Sequence, residues 1–216
     1  MEDGYKHRGL RRKLVQSIRK KGINDESVLT ALNTVPRHFF FDDAFLNHAY
    51  QDKAFPIAEE QTISQPYTVA FQTELLAVSK GNSILEIGTG SGYQASILCE
   101  MGARVYSIEY NQVLYRSAKK MLHSMGYHPV LKHGDGSKGW SLHAPYDGII
   151  VTAGAPDVPQ DLKDQLSLGG KLVIPVGNNM SQVMMRVSRL SEKEFKTEKF
   201  DYFAFVPLLG EGGWKN

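Results

Sequence analysis

The sequence predicts an α/β protein built on a mostly parallel sheet with helices on both faces, and three observations predict it. From Gly81 onward, short apolar runs alternate with helix-like stretches. The runs are apolar at nearly every position rather than at every second one, the pattern of strands buried on both faces. One run leads directly into Gly88, Gly90 and Gly92 and then into a helical stretch, the layout of a ligand-binding turn at the carboxyl end of a strand.

The elements follow in order. Leu10, Leu14, Val15 and Ile18 recur at helical spacing, so the first element is an amphipathic helix with its basic face in water. A second helix over 25–35 begins after Gly22 and stops at Pro36. Residues 37–62 carry Phe39, Phe40, Phe41, Phe45, Tyr50 and Phe55 without a period, and read as irregular packed chain. A helix over 66–80 has proline in its first turn, where a missing N–H costs nothing, and Gly81 just past its end. Strands are expected at 83–87, 105–109, 129–132, 148–152 and 171–176, with helices at 93–101, 111–125 and 159–166. Residues 182–188 and 199–206, around a polar turn at 191–193, read as an antiparallel hairpin at one sheet edge.

The 216 residues fit one domain over 1–216, with a helical cap and flanking segment over 1–65 ahead of a core over 66–216. Residues 1–22 hold eight Lys/Arg against Glu2 and Asp3, a charge of +6, and the remainder is −4. Such an end can recruit nucleic acid or anionic membrane, but the amphipathic spacing explains it more simply, so neither partner is expected. The longest uncharged apolar stretch, around 149–155 and broken at Gly154, is far short of the ~18 residues that span a bilayer. Cys99 is the sole cysteine, and residues 1–21 show no apolar stretch behind their basic residues. A reducing cytoplasm is the expected compartment.

The glycine-rich turn carries the chemistry. The next strand ends in Glu109, 17 residues after Gly92, where a carboxylate can accept from both hydroxyls of a ribose. A dinucleotide and S-adenosylmethionine both carry one. The spacing here is G-x-G-x-G, with Thr89 and Ser91 between the glycines, whereas the dinucleotide fingerprint is G-x-G-x-x-G. Glu86 stands just before the turn, where its charge opposes a pyrophosphate and suits an ammonium and a sulfonium. Asp135 and Gly136 close the third strand and reach an adenine edge, or form a simple turn.

The acceptor is read from two further places. Base-amino methyltransferases place an Asn/Asp-Pro-Pro-aromatic run after the fourth strand; here it reads Val151-Thr152-Ala153-Gly154-Ala155-Pro156. Cys99 sits mid-helix among Ile97, Leu98 and Met101 as a packing residue rather than a thiolate nucleophile. Nucleic-acid methylation is thereby weakened. Thr62, Ile63, Ser64 and Gln65 precede Pro66, placing hydroxyls at a helix start, where unpaired N–H groups favour an anion. Ser64 or Gln65 could equally cap that helix. No Gly-x-Ser-x-Gly turn is present, and the seven histidines lack metal-ligand spacing, so no metal is expected.

Residues 61–67 (Gln-Thr-Ile-Ser-Gln-Pro-Tyr), 85–94 (Leu-Glu-Ile-Gly-Thr-Gly-Ser-Gly-Tyr-Gln), Gly134-Asp135-Gly136 with Gly139-Trp140, Pro145-Tyr146-Asp147 and Phe205-Val206-Pro207-Leu208 resemble the protein-L-isoaspartate O-methyltransferases. The likeness runs in order from about Val35 to Trp214, and the Thr-Ile-Ser-Gln-Pro run is its most specific part. It implies a Rossmann-like doubly wound sheet with an N-terminal helical cap, and S-adenosylmethionine as donor with S-adenosylhomocysteine as product. The substrates it implies are isoaspartyl-containing peptides and proteins, taken by a monomer. Ser64 falls at the family's active-site position. Glu86, Gly88, Thr89, Gly90, Ser91, Gly92, Glu109, Asp135 and Gly136 fall at the cofactor, and Thr62, Ile63, Val206 and Leu208 on the substrate side, within residues 1–65 and the tail. One departure is visible: Glu60 stands where similar proteins usually have glycine. Two other readings stay open on the residues alone, an NAD-linked oxidoreductase and a cofactor-sensing protein whose basic helix binds RNA.

Overall fold

In the computed structural model, which describes residues 2–214, the chain opens with α1 (Tyr5–Lys20) and α2 (Glu26–Thr34). Helix α1 buries Leu14 and Ile18 while Leu10 stays 38% exposed. Its basic face is not wholly in water, because Arg11 is only 5% exposed. The guanidinium donates to both Asp3 carboxylate oxygens at 3.0 and 2.9 Å, to the Asn33 carbonyl at 2.5 Å and to the Tyr50 hydroxyl at 3.1 Å. A fixed fork of donors makes arginine suited to such a site. Arg11→Ala is therefore expected to cost about 2–3 kcal/mol in urea unfolding, and a loss under about 0.5 kcal/mol would show the fork to be idle. Asp25 caps α2, accepting from the amides of Ser27 at 2.8 Å and Val28 at 3.3 Å.

The aromatic stretch resolves into two 3₁₀ turns, Arg37–Phe40 and Asp43–His48, followed by two-residue strands β1 (Phe55–Pro56) and β2 (Thr62–Ile63), paired antiparallel. The turn between them puts Glu59 and Glu60 in the left-handed region, at φ 61° and 56°, which explains why glycine would be at ease at position 60. Helix α3 (Pro66–Leu76) stops earlier than its sequence predicts: Ala77 takes the left-handed terminating conformation at φ 54°. Gly81 instead serves the next strand, its N–H donating to the Gly102 carbonyl at 2.9 Å.

The main sheet comprises β3 (Ser83–Ile87), β4 (Arg104–Glu109), β5 (Val130–His133), β6 (Tyr146–Val151), β7 (Leu166–Gly177), β8 (Gln182–Arg189) and β9 (Phe195–Phe203), in the order β5-β4-β3-β6-β7-β8-β9. The pairings from β5 through β7 are parallel, and β8 and β9 add the expected antiparallel edge. Helices α4 (Tyr93–Glu100), α5 (Gln112–Ser124) and α6 (Gln160–Asp164) connect the parallel strands. Helix α6 is shorter than expected because Leu166, fully buried, pairs with Tyr146 and starts β7.

Strand β3 shows how the layers form. Leu85 and Ile87 face one core with Ile149, Leu162 and Leu172, whereas Ile84 faces another with Leu98, Leu122 and Ile150, the alternation that strand geometry imposes. A third core joins α1 and α2 to α3 and α4 through Ile18, Leu29, Val69 and Ile97, and so seats the cap on the sheet layer. The chain leaves β9 at Phe203, earlier than the predicted end at 206. Residues beyond it run beside the loop after β6, where Gly154 N–H donates to the Val206 carbonyl and Leu208 N–H to the Gly154 carbonyl, both at 2.8 Å. Strand order reverses at β3, with β4 on one side and β6 on the other, which opens a crevice at their carboxyl ends.

Candidate functional site

A cavity of about 250 Å³ occupies that crevice. Gly88, at φ 96°, makes the first turn out of β3, and a Cβ on it would stand 2.5 Å from Thr152 Oγ1. That hydroxyl shares its one proton between the carbonyls of Gly88 at 2.7 Å and Ile87 at 3.0 Å, which ties the loop to the end of β6. Gly90 is also left-handed, at φ 53°, with its Cβ direction open. From the end of β5, Gly136 lies so close to β3 that a Cβ would meet Ile87 Cγ2 at 2.5 Å.

Glu109 ends β4 with 6% exposure and lines the cavity. Its oxygens accept from Gly90 N–H at 2.7 Å and Asn111 N–H at 2.8 Å, so one carboxylate fixes both the glycine loop and the entry to α5. Asn111 in turn caps α5 through Oδ1, and its Nδ2 donates to Glu59 Oε2 at 3.1 Å. The β1–β2 turn is thereby held against the wall that Glu109 supports. A carboxylate with two oxygens fixed this way keeps lone pairs for the adjacent hydroxyls of a sugar.

The lining also takes Thr62, Ile63 and Ser64 from β2 and the residue after it, and Val206 and Leu208 from the segment after β9. The alternative role for Ser64 or Gln65, capping α3, is not what is built: the N-cap Gln65 makes no side-chain capping bond. The expected anion slot at the helix start is already filled from within the chain. Asp52 Oδ1 accepts from Tyr67 N–H at 2.8 Å, and its other oxygen pairs with Lys21 at 2.5 Å. Ser64 is left facing the cavity rather than the helix.

The structure thus brings Ser64, Thr62, Ile63, Gly88, Thr89, Gly90, Ser91, Glu109, Gly136, Val206 and Leu208 to one cavity. Glu86, Gly92 and Asp135 stand outside its lining. Gly92 packs toward α5, where a Cβ would meet Leu122 at 3.1 Å. Asp135 accepts from Ser137 N–H and Oγ–H and from Glu211 N–H at 2.7–2.9 Å. Burial works against its charge, yet those bonds hold its pKa below the ordinary carboxylate range. It clasps the C-terminal segment directly beside Gly136. Glu86 does not present a charge to the cavity; it is fully buried under the loop, and burial pushes its carboxyl up to about 8.

Sequence reasoning missed Glu59, Asn111 and Thr152, whose roles depend on pairings between distant elements. It also missed that Asp3, His7 and His38 bring ligand atoms within 4.8 Å of one another. The two rings stack at 3.9 Å, Arg11 engages both Asp3 oxygens, and Tyr50 holds His38 Nδ1 at 2.7 Å.

Comparison with known proteins gives the following. Residues 9–213 match the protein-L-isoaspartate(D-aspartate) O-methyltransferase family. The protein-L-isoaspartate O-methyltransferase of Cytophaga hutchinsonii is 58% identical over 214 residues, covering 99% of this chain and 97% of that one. A solved protein-L-isoaspartate O-methyltransferase superposes with a TM-score of 0.83 at 28% identity, over 94% of this chain and 66% of that one. A Plasmodium falciparum structure described as a beta-aspartate methyltransferase in complex with S-adenosyl-L-homocysteine shares the fold, with a TM-score of 0.80 at 20% identity over 92% and 98% of the two chains.

Proposed function

The chain belongs to the protein-L-isoaspartate(D-aspartate) O-methyltransferase family, and from that premise we propose how its cavity works. The enzyme transfers a methyl group from S-adenosylmethionine to the free carboxylate of L-isoaspartyl residues in damaged proteins and peptides. The donor fits the site: Gly88, Gly90 and Gly136 give the cavity a lining of bare backbone, and Glu109 supplies ribose acceptors. When bound, S-adenosylmethionine supplies a methyl group on a sulfonium, a bond already activated for attack.

Glu109 accepts from the ribose hydroxyls, the backbone of residues 88–91 with the Thr89 and Ser91 hydroxyls cradles the methionine portion, its sulfur included, and Gly136 borders the base. Gly92 and Asp135 act from behind, by packing on α5 and by fixing the turn beside Gly136. Thr62, Ile63, Val206 and Leu208 hold the peptide, and Ser64 donates to the substrate carboxylate. That carboxylate is ionised at pH 7, with a reference pKa of about 4, so no general base is required. What the protein supplies is orientation of one oxygen toward the methyl group, with water kept from over-solvating the anion. The observation that carries this reading is the meeting of Ser64 and Glu109 with the glycine loop in one cavity.

Both parts of the chain line it, Thr62, Ile63 and Ser64 from residues 1–65, and the glycine loop, Glu109, Val206 and Leu208 from residues 66–216. We take a single-domain monomer as the working unit and the cytoplasm as its compartment. Among the described residues no helix is long and apolar enough to cross a membrane. The basic end is partly consumed internally, Arg11 by Asp3, Arg19 by Glu26 and Lys21 by Asp52, which argues against a nucleic-acid face.

The deciding experiment offers an isoaspartyl peptide and its aspartyl twin with labelled donor. Only the first is expected to be methylated, and equal methylation of both would overturn the substrate reading. Ser64→Ala is expected to keep donor affinity and lower kcat/KM for the isoaspartyl peptide about 10–100-fold, the effect of one hydrogen bond to a charged group. Ser64→Thr separates causes: recovery shows that the hydroxyl matters, whereas a rate as poor as alanine shows that the pocket has no room for a methyl. An alanine variant of full activity would remove Ser64 from the site.

A further inference from the structure

Glu86 has no use in the transfer just described, yet it is a wholly buried carboxyl directly beneath the cofactor loop. Its Oε2 accepts from Ser107 Oγ at 2.5 Å, and Ser107 Oγ is 2.6 Å from the Oγ1 of Thr89, a residue of the cavity lining. Its Oε1 has no partner among the described residues. The groups around it leave a negative charge uncompensated. Strand β4 brings the carboxylate of Glu109, and α4 brings the Ala95 N–H together with the Cys99 thiol, which burial first and Glu86 next push up to about 12. Strand β6 brings the apolar Ile150. Among the described residues, the charges that act on it include no cation.

The relay has two polarities. With Glu86 ionised, Ser107 donates to it and Thr89 donates to Ser107, so the Thr89 hydroxyl turns lone pairs toward the cavity. With Glu86 protonated, the acid donates to Ser107, Ser107 to Thr89, and the Thr89 hydrogen becomes free for the cavity. The first state suits a cation and the second a neutral acceptor. The donor and the product of the reaction differ in that way, as sulfonium and thioether.

We propose that Glu86 is the selector between S-adenosylmethionine and S-adenosylhomocysteine: through Ser107 and Thr89 it releases its proton to solvent when the sulfonium ligand is bound, and takes a proton back when the thioether product is left. Burial raises the Glu86 pKa to about 8, so near neutral pH the free enzyme holds the proton. By linkage, donor affinity then gains over product affinity as pH rises toward and past that value. The proposal rests on the cofactor cavity assigned above.

Calorimetry on the full chain tests it, with S-adenosylmethionine and S-adenosylhomocysteine titrated separately from pH 6 to 9.5 in buffers of different ionisation enthalpy. The ligand's own α-amino group titrates near pH 8, so the decisive quantity is the difference between wild type and Glu86→Gln. Wild type is expected to release more protons on donor binding near pH 7.5. Its ratio of product Kd to donor Kd is expected to climb about tenfold more across the range than in the variant, the effect of a one-unit displacement of the Glu86 pKa. Ser107→Ala severs the link between Glu86 and Thr89 and is expected to flatten the pH dependence of the ratio as Glu86→Gln does, a second test should Glu86→Gln not fold. A pH profile of the ratio in either variant equal to that of wild type would overturn the selector. Failure of wild type to bind either ligand would overturn the cofactor site along with it.

Discussion

Glu109→Ala is expected to weaken S-adenosylmethionine binding by about two to four orders of magnitude. Its carboxylate offers two acceptors to a ribose, and hydrogen bonds to charged groups are worth about 1.5–3 kcal/mol each, or together about 3–6 kcal/mol, a factor of roughly 10²–10⁴. A further loss comes from the protein, because Gly90 N–H and Asn111 N–H, now held at 2.7 and 2.8 Å, lose their acceptor. The loop and the first turn of α5 would then be free to drift, and the α5 cap at Asn111 is the bridge to Glu59. Glu109→Gln keeps the shape and one acceptor oxygen, so it should bind with intermediate affinity. Calorimetry with the far-ultraviolet spectrum as a folding control decides it: a folded Glu109→Ala with an unchanged Kd would take the ribose away from this residue.

The parallel core was legible because buried strands advertise themselves through continuous apolar runs and because each is punctuated by a turn. Strand β3 matched at both ends. The misplaced boundaries share a cause, which is that the competing interaction is made with a distant partner. Helix α3 ends at Leu76 because the chain must turn into β3, and Gly81 is claimed by Gly102. Strand β7 starts at Leu166 because Tyr146 pairs with it across the sheet. Arg11 turns inward to Asp3, Asn33 and Tyr50, three groups that no helical period could associate with it. The β1–β2 pair is two residues per strand, too short for any alternation to register.

In the site, residue types were legible where the backbone itself dictates them. A run of glycines after a strand signals close approach, and an acid at the end of the next strand signals a sugar. What stayed hidden is direction. Glu86 and Glu109 are both acids at strand ends, but one points beneath the loop to Ser107 and the other reaches over to Gly90 N–H. Nothing in the spacing separates them; the register of β3 against β4, Glu86 opposite Ser107, does. Ser64 and Gln65 were equal candidates for capping until Asp52, from a segment without a period, took the first free amide of α3.

Gly90→Val is expected to leave a folded protein that no longer binds the donor measurably, a loss of more than about 100-fold, whereas Gly88→Ala is expected to act on stability instead. The two glycines are two residues apart and both left-handed, but their surroundings differ. At Gly90 a Cβ meets nothing nearer than Ile57 Cδ1 at 4.0 Å, so the protein tolerates the side chain. Its cost is the left-handed backbone of a β-branched residue, about 1–2 kcal/mol, or a Tm lowered by roughly 2–8 °C. The branch then projects toward space that the donor requires, and the binding loss is steric. At Gly88 a Cβ would stand 2.5 Å from Thr152 Oγ1, and relieving that clash breaks the bonds from Thr152 to the carbonyls of Ile87 and Gly88. One shared, part-buried hydrogen bond and a left-handed alanine make a stability loss of about 2–3 kcal/mol, with weakened binding following from the displaced loop. Thermal unfolding and calorimetry on the pair separate the cases: donor binding by Gly90→Val within tenfold of wild type would mean that the space beside the loop is not where the donor lies.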